Sequence, residues 1–372
     1  MTDTPYLEVD TPYLEVDLER LETNVARVAD LARAAGVDVR PHAKTHKCAE
    51  IASRQIDHGA VGLTVATIGE AEAFADAADT TGCTDIFIAY PLWPTPTKAA
   101  RLRSLADRVS LRVGVESVEG ARHLASSLDT GASPPAGRVE VLVEVDSGQH
   151  RTGASPERAG EVAAAGVAAG LDVIGVFTFP GHSYGVGDTR SGAAEQEIRA
   201  LHTAAESLRA QGIEPRVRSG GSTPTIAFVA DPRHAGVLTE IRPGVYPFND
   251  AQQVEIGSCG FDEVALTAVS TVIRREGRRI VLDAGSKILG ADRAPWATGY
   301  GRLLDHHDAR IVLLSEHHAV VEFPSGGEVP ALGYIVRVVP NHVCNAVNLV
   351  DELVAIGGSD SRWPVIARGR NT

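Results

Sequence analysis

A lone lysine on a soluble chain reads as a solvated charge, but Lys44 is not alone. It stands in the run Arg40-Pro41-His42-Ala43-Lys44-Thr45-His46-Lys47. Val37 to Val39 lead into it as a strand, and a small-residue helical pattern follows from Cys48. Lys44 therefore sits where a strand gives way to a loop, which in a β/α barrel is the catalytic end. Pro41 fixes the backbone, and His42 and His46 share a face with Lys44 if the strand pitch continues. Basic neighbours lower an amine's pKa, which suits a Schiff-base lysine.

A second constellation lies far along the chain, in Pro340-Asn341-His342-Val343-Cys344-Asn345. On an extended segment, residues two apart point the same way, so His342 and Cys344 face one another's side. Imidazole with thiolate suits zinc. Two ligands do not close a structural site; they leave positions open for substrate and water. On spacing alone, a single His-x-Cys is a weak signal.

The elements that must position these groups alternate. Strand-like runs begin near Val37, Val61, Asp85, Val109, Val139, Val173, Arg216 and Glu240, with helical patterns between most of them. That alternation predicts an N-terminal (β/α)8 TIM barrel over residues 18–250. An open doubly wound sheet is the alternative, and no GxGxxG fingerprint supports it. Asp17 is placed to cap the first helix and Gly36 to end it. From residue 251 to 356 the texture turns to strands joined by glycine-bearing turns, which predicts a C-terminal antiparallel β domain carrying His342 and Cys344. The heptapeptide Thr4–Asp10 is repeated at once as Thr11–Asp17. The second copy reads as a strand of the β domain. Residues 1–10 and 357–372 are expected to be loose.

Later barrel strands also end in polar, glycine-bearing loops: residues 146–153, 180–185, 219–225 and 242–246. Several such loops converging on one rim exceed ordinary turn chemistry. In Ser219-Gly220-Gly221-Ser222-Thr223-Pro224-Thr225, two glycines allow close approach of backbone N–H groups to an anion, and Ser222 and Thr223 add hydroxyls. A plain Gly-Ser loop would look similar, but the loop after the seventh barrel strand is a recurrent phosphate site.

The composition of the 372 residues sets limits. Hydrophobic residues make up 44%, enough for a sizeable core, and the formal net charge is −13. That charge excludes nucleic acid and anionic membrane surfaces as expected partners. Cys48, Cys83, Cys259 and Cys344 form no CxxC pair, which points to a reducing, cytoplasmic setting. No signal peptide and no membrane span are expected.

Taken together, RPHAKTHK, DSGQHRTG, GHSY, SGGSTPT, RPGVY and HVC resemble the D-threonine aldolase and D-serine dehydratase family, relatives of alanine racemase. The likeness covers nearly the whole chain. It implies pyridoxal 5'-phosphate on Lys44, with the cofactor phosphate at Gly221, Ser222, Thr223, Gly244 and Tyr246. It implies that Arg151 bonds the cofactor's phenolic oxygen and that Tyr184 lies near its ring. On their own, Arg151 reads as a surface ion-pair former and Tyr184 as a buried structural tyrosine. The resemblance places the family's metal dyad on His342 and Cys344 and implies a divalent ion, zinc first, with Mn2+ or Mg2+ as the alternatives. His318, in Ser315-Glu316-His317-His318-Ala319, keeps a matching histidine, while His317 and Ala319 depart from the pattern.

The dehydratase branch carries His-x-Cys and the aldolases His-x-Asp, so Cys344 leans towards elimination from a D-β-hydroxy-α-amino acid, giving a keto acid and ammonia. Retro-aldol cleavage to glycine and an aldehyde is the alternative. A metal-free racemase and a non-catalytic cofactor-binding protein are the others. Lys287 is the rival lysine, expected to be structural or to meet a partner subunit. The resemblance implies a homodimer.

Overall fold

The computed structural model describes residues 9–129, 139–358 and 361–372. The chain separates into two compact units. One takes the chain up to Val25, Thr45–Cys48 and Val245–Arg368; the other takes Ala26–Lys44, Ala49–Gly244 and Gly369–Thr372. Strand β1 (Tyr13–Asp17) opens the chain and belongs to the first unit. The helix that follows, Leu18–Ala35, is capped by Asp17, whose Oδ1 accepts the Arg20 N–H at 3.1 Å.

The second unit is built on eight parallel strands. In chain order they are β2 (Asp38–Val39), β3 (Leu63–Val65), β4 (Asp85–Pro91), β5 (Ser110–Val115), β6 (Val139–Glu144), β7 (Asp172–Phe177), β8 (Val217–Gly220) and β9 (Glu240–Ile241). Each pairs with its sequence neighbour from β3 to β9, and β9 pairs with β2. The ring closes where His42 bridges Thr64 and the amide of Ala43 donates to Thr64 at 2.8 Å. This is a (β/α)8 barrel, and its strands begin within two residues of the predicted starts. They read clearly because strands covered on both faces are short continuous apolar runs. Thr67, Thr95 and Ser117 cap three of the intervening helices.

The barrel interior is layered. Near the strand starts lies a buried ionic layer. Arg40, 1% exposed, donates to Glu240 at 2.7 Å and Asp85 at 2.8 Å. Arg112 reaches Glu140 at 3.0 Å and Glu240 at 3.4 Å. One layer on, the Arg242 guanidinium lies 5.6 Å from the Phe87 ring and 5.3 Å from that of Phe177, and it donates to Ser219 Oγ and the Thr178 carbonyl. The two rings meet edge-on at 5.0 Å, and Leu142 and Ile174 pack against them.

In the other unit, the strands are β10 (Leu266–Glu276), β11 (Arg279–Leu282), β12 (Gly301–Leu303), β13 (Arg310–Leu314), β14 (Ala319–Glu322), β15 (Ile335–Pro340), β16 (Glu352–Ile356) and β17 (Ser361–Pro364). With β1 they form a nine-stranded sheet ordered β13-β14-β11-β10-β1-β16-β17, in which β15 joins β10 to β12. All its pairs are antiparallel except β1 with β16. The sheet is antiparallel-rich, as expected, with β1–β16 as its parallel pair.

The expectation of a loose tail also needs correction. Residues 361–364 form β17 on β16, and Trp363, Val365 and Ala367 are buried. In the barrel unit, the Gly69 amide donates to the Thr372 carbonyl at 2.9 Å. The tail holds because a few apolar residues find cover, which its polar composition hides. For the first heptapeptide copy, residues 1–8 lie outside the described residues.

Replacing Arg40 by Met strands the buried Glu240 carboxylate. The expected loss is about 3–5 kcal/mol, read as a lower urea midpoint with an unchanged slope. Although burial alone would raise it, the Glu240 carboxyl is held below the usual range by Arg40, by the Ser219 hydroxyl and by Arg242. Its stabilising share is therefore complete above the ordinary glutamate pKa of about 4.3 and is lost as pH falls below that. The deficit of the variant should shrink in the same window.

Candidate active site

Lys44 lies in a turn two residues beyond the bridge that closes the barrel, at the C-terminal end of its first strand. Its Nζ is 5.5 Å from the centroid of the Phe179 ring. The Arg151 guanidinium is also 5.5 Å from that ring, and Tyr184 is 6.2 Å from it, tilted by 44°. Lys44, Arg151 and Tyr184 come from three different strand ends, and Phe179 gathers them. Phe179 carried no sequence signal, because a phenylalanine after an apolar strand reads as core.

Each contributor is held by its loop. Asp146 Oδ1 accepts the amides of Gly148 (2.8 Å) and His150 (3.0 Å), and its Oδ2 meets His150 Nδ1 at 2.7 Å. Burial works to raise the Asp146 pKa, but these three bonds hold it low. The turn needs glycine at 153, where φ is +104° and a Cβ would lie 2.6 Å from the Asp146 amide. This fold of the loop sends Arg151 outward towards Phe179. Ser183, just before Tyr184, is buried with its hydroxyl 2.9 Å from that of Ser222. The loops after β7 and β8 are thereby tied together.

Ser222 caps the short 3-10 helix Thr223–Phe228, exchanging bonds with Thr225. Gly221 has φ +81°, and a Cβ there would sit 3.0 Å from Ile241 Cβ. Glycine is thus required at the turn where an anion cradle was expected. Two of its amides already have partners, that of Ser222 donating to Thr225 Oγ1 at 2.9 Å. The Gly221 N–H donates to the carboxylate of Glu197, which is fully buried in the helix Thr189–Arg209. The Ser222 hydroxyl lies between those of Ser183 and Thr225, at 2.9 and 3.1 Å. Gly244 ends the barrel unit, while Tyr246, 2% exposed, is counted in the other.

Two buried acids at this rim were missed by sequence reasoning. Burial pushes Glu144, the last residue of β6, up to about 7, against the opposing pull of the Thr152 hydroxyl and the Arg151 charge. Its Oε2 is buried with no hydrogen-bond partner. Burial also lifts Glu197 to about 7, against the Gly221 amide and the charge of Arg242. Neither acid stands in a motif; only the fold makes them unusual.

The shared face expected for His42, Lys44 and His46 is not formed by strand pitch. The chain turns after His42, and His46 is buried with its Nδ1 accepting the Cys48 amide at 3.1 Å. That bond starts the helix Ala49–Asp57.

In the sheet-rich unit, His342 caps the short helix Val343–Val347, which contains Cys344. The dyad is therefore not on one extended segment, as its spacing suggested. The extended backbone of His342, φ −140°, nevertheless turns its ring to within hydrogen-bonding reach of Cys344. His342 Nδ1 lies 2.6 Å from Asp292 Oδ2. The Cys344 thiol donates to Thr45 Oγ1 at 3.2 Å, and Lys47 Nζ donates to Asn348 Oδ1 at 2.7 Å. Asp250 Oδ2 accepts the Val343 amide at 3.2 Å. Burial lifts Asp250 to about 6, opposed by His342 and two amides. Burial would lower the His342 pKa, but Cys344, Asp292 and Asp250 together raise it well above the usual histidine value. Among the described residues, no group of three or more His, Cys, Asp or Glu is arranged to hold a metal. The chemistry of the donors present, one imidazole and one thiol, fits a zinc-type ion with open positions.

Residues 16–251 match the profile of the alanine racemase N-terminal domain, and residues 265–356 match that of a serine dehydratase domain. The chain belongs to the alanine racemase-like family that joins these two domains. It is similar to D-threo-3-hydroxyaspartate dehydratase of a Delftia species, 34% identical over 91% of this chain and 92% of that one. It is 32% identical to D-threonine aldolase of an Arthrobacter species, over 90% and 86%. A cysteine-to-alanine mutant of D-threo-3-hydroxyaspartate dehydratase, solved in the metal-free form, superposes with a TM-score of 0.86 at 30% identity, covering 96% of this chain and 97% of that one.

Of the other expected residues, His318 is exposed in the turn between β13 and β14, where its carbonyl accepts the Ser315 amide at 2.8 Å. No side-chain hydrogen bond or ion pair joins it to His342 or Cys344 among the described residues. Lys287 is exposed on the short helix Ser286–Leu289. No helix among the described residues is long and apolar enough to cross a membrane.

The buried Glu197 sets a pH dependence. With its pKa near 7 in the folded chain and about 4.3 when unfolded, it makes stability fall as pH rises between those values. Glu197→Gln keeps an acceptor for Gly221 without the charge. Urea unfolding from pH 5 to 8 should show a flatter profile for the variant, with a gain at pH 8 of roughly 3 kcal/mol.

Proposed function

We propose that this chain is a pyridoxal-phosphate lyase that eliminates water from a D-β-hydroxy-α-amino acid, with a divalent metal at His342 and Cys344; the enamine released tautomerises and takes up water to give a keto acid and ammonia. The observation that carries the reading is the meeting of Lys44, Arg151 and Tyr184 around Phe179. Lysine, arginine and tyrosine from three strand ends, beside a glycine-opened cradle with buried hydroxyls, fit an aromatic phosphorylated aldehyde. Lys44 would attach it, and Gly221, Ser222, Thr223 and Gly244 would hold its phosphate; the resemblance assigns Tyr246 to the same group. Arg151 would meet its phenolic oxygen, and Tyr184 would stand near its ring.

Pyridoxal phosphate supplies an electron sink for bonds at the substrate's Cα. A zinc-type ion supplies Lewis acidity towards the β-oxygen. The chain's own part is acid–base work and placement. The Lys44 amine takes the proton from Cα. Arg151, a permanent cation, favours the ionised form of the oxygen it faces. Glu144, neutral over part of the physiological range, lies electrostatically beside Arg151 without discharging it. His342 and Cys344 anchor the metal. His318, at its exposed turn, keeps the catalytic role near the metal that the resemblance gives it.

The cysteine at position 344 supports elimination over aldol cleavage, as does the similarity to D-threo-3-hydroxyaspartate dehydratase. The metal-free form named for its solved mutant supports a metal in that relative. A homodimer belongs to the same proposal, supported by the exposed apolar residues Leu332, Tyr334 and Ile335 in the sheet-rich unit.

Product analysis tests the reading. Incubation with D-serine, D-threonine and D-3-hydroxyaspartate, with and without added zinc, should yield keto acid and ammonia, and chelation should abolish the yield. Glycine with an aldehyde would replace elimination by aldol cleavage. Lys44→Ala should remove both the cofactor's visible absorbance and all turnover; retained turnover would remove Lys44 from its role.

A further inference from the structure

We propose that Asp292 and Thr45 are the positioning residues of the metal pair, Asp292 acting through His342 and Thr45 through Cys344. The inference rests on the metal reading above; it adds Asp292, to which no motif points, and gives a role to Thr45, which the lysine run carries without one.

The case for Asp292 begins with the chain path. The short helix Ser286–Leu289 ends at Gly290, whose φ is +74°. A Cβ at Gly290 would lie 3.2 Å from Asn345 Cβ, so glycine lets residues 290–292 run close beside the helix that carries Cys344. That path sets Asp292 Oδ2 2.6 Å from His342 Nδ1. A carboxylate has no proton to give, so the ring's Nδ1–H donates. Nε2 is then the nitrogen left for a metal, giving up its own proton as the ion binds. A carboxylate behind a ligating imidazole fixes the ring's tautomer and direction and raises its basicity.

The case for Thr45 is the matching bond on the sulfur. Thr45 is 1% exposed and lies one peptide bond from Lys44. Its Oγ1 accepts the Cys344 thiol at 3.2 Å. A metal takes the sulfur as thiolate, which can only accept. The threonine hydroxyl then turns and donates to it. Nearby, the bond from Lys47 to Asn348 fixes the same segment to the same helix, so the hydroxyl keeps its place. Each donor of the pair thus has one outer partner, and the two partners act through different atoms.

The test uses the full chain purified with its cofactor, stripped of metal and titrated with zinc against a chromophoric chelator, and separately with cobalt. The wild-type chain should bind one zinc, and His342→Ala should not. Asp292→Ala should weaken zinc binding by about 10–100-fold, with Asp292→Asn, which keeps an acceptor, falling between. Thr45→Val should keep the cobalt site but shift its sulfur-to-cobalt charge-transfer band; Asp292→Asn should leave that band in place. If His342→Ala loses zinc while Asp292→Ala binds it like wild type, the role of Asp292 is overturned. An unmoved band in Thr45→Val overturns that of Thr45. Equal zinc binding by wild type and His342→Ala would instead remove the metal reading itself. Far-UV circular dichroism and urea midpoints accompany each variant, and Asp292→Asn carries the test should Asp292→Ala not fold.

Discussion

A guanidinium at the start of the barrel holds its first and last strands together. Arg40 follows β2, and its partners Glu240 and Asp85 open β9 and β4. Burying three charges without water is costly, and only close, multiply bonded geometry offsets it. Here the offset is shared. Arg112 reaches both Glu240 and Asp85, and the Ser219 hydroxyl donates to Glu240 at 2.6 Å. The network acts at the end of the barrel opposite the loops, so those loops need not themselves hold the ring closed. They are free to carry glycines, positive φ angles and buried acids. Division of labour between a stabilising end and a reactive end is the barrel's general design.

Above that layer, Arg242 links the ionic layer to the acids of the rim. Its charge is enclosed by two aromatic rings and met by Ser219 and the Thr178 carbonyl. Burial lowers its pKa, while Glu240, Glu197 and Glu144 act to raise it. The same cation therefore faces the ionic layer below and the two near-neutral acids above. A change in the protonation of either acid is felt at the centre of the barrel.

Much of this was legible in the sequence, and the failures have specific causes. Parallel strands buried on both faces appear as apolar runs, so all eight starts were readable. Lys44 was singled out by the strand-to-loop run that carries it, and Arg151 and Tyr184 only through the resemblance of their glycine-bearing loops to a known family. Phe179 was not, since its role exists only once three loops converge. Cys344 was identified but misplaced on a strand, because two-residue spacing does not reveal that His342 is a helix cap. Asp292 sits fifty residues before its partner, in a stretch with no periodicity. The strands β12 and β17 are too short for an alternating pattern to show.

The opening strand has a further consequence for how the chain is made. On a ribosome, β1 emerges first, yet its hydrogen-bonding neighbours are β10 and β16, synthesised after every barrel strand. Throughout that interval its two edges have no native mates. Leu14 and Val16, which end fully covered, must meanwhile be screened by transient collapse or by a chaperone. One edge is covered when β10 is released and the other only when β16 follows, so the sheet closes around its earliest strand in two separate steps.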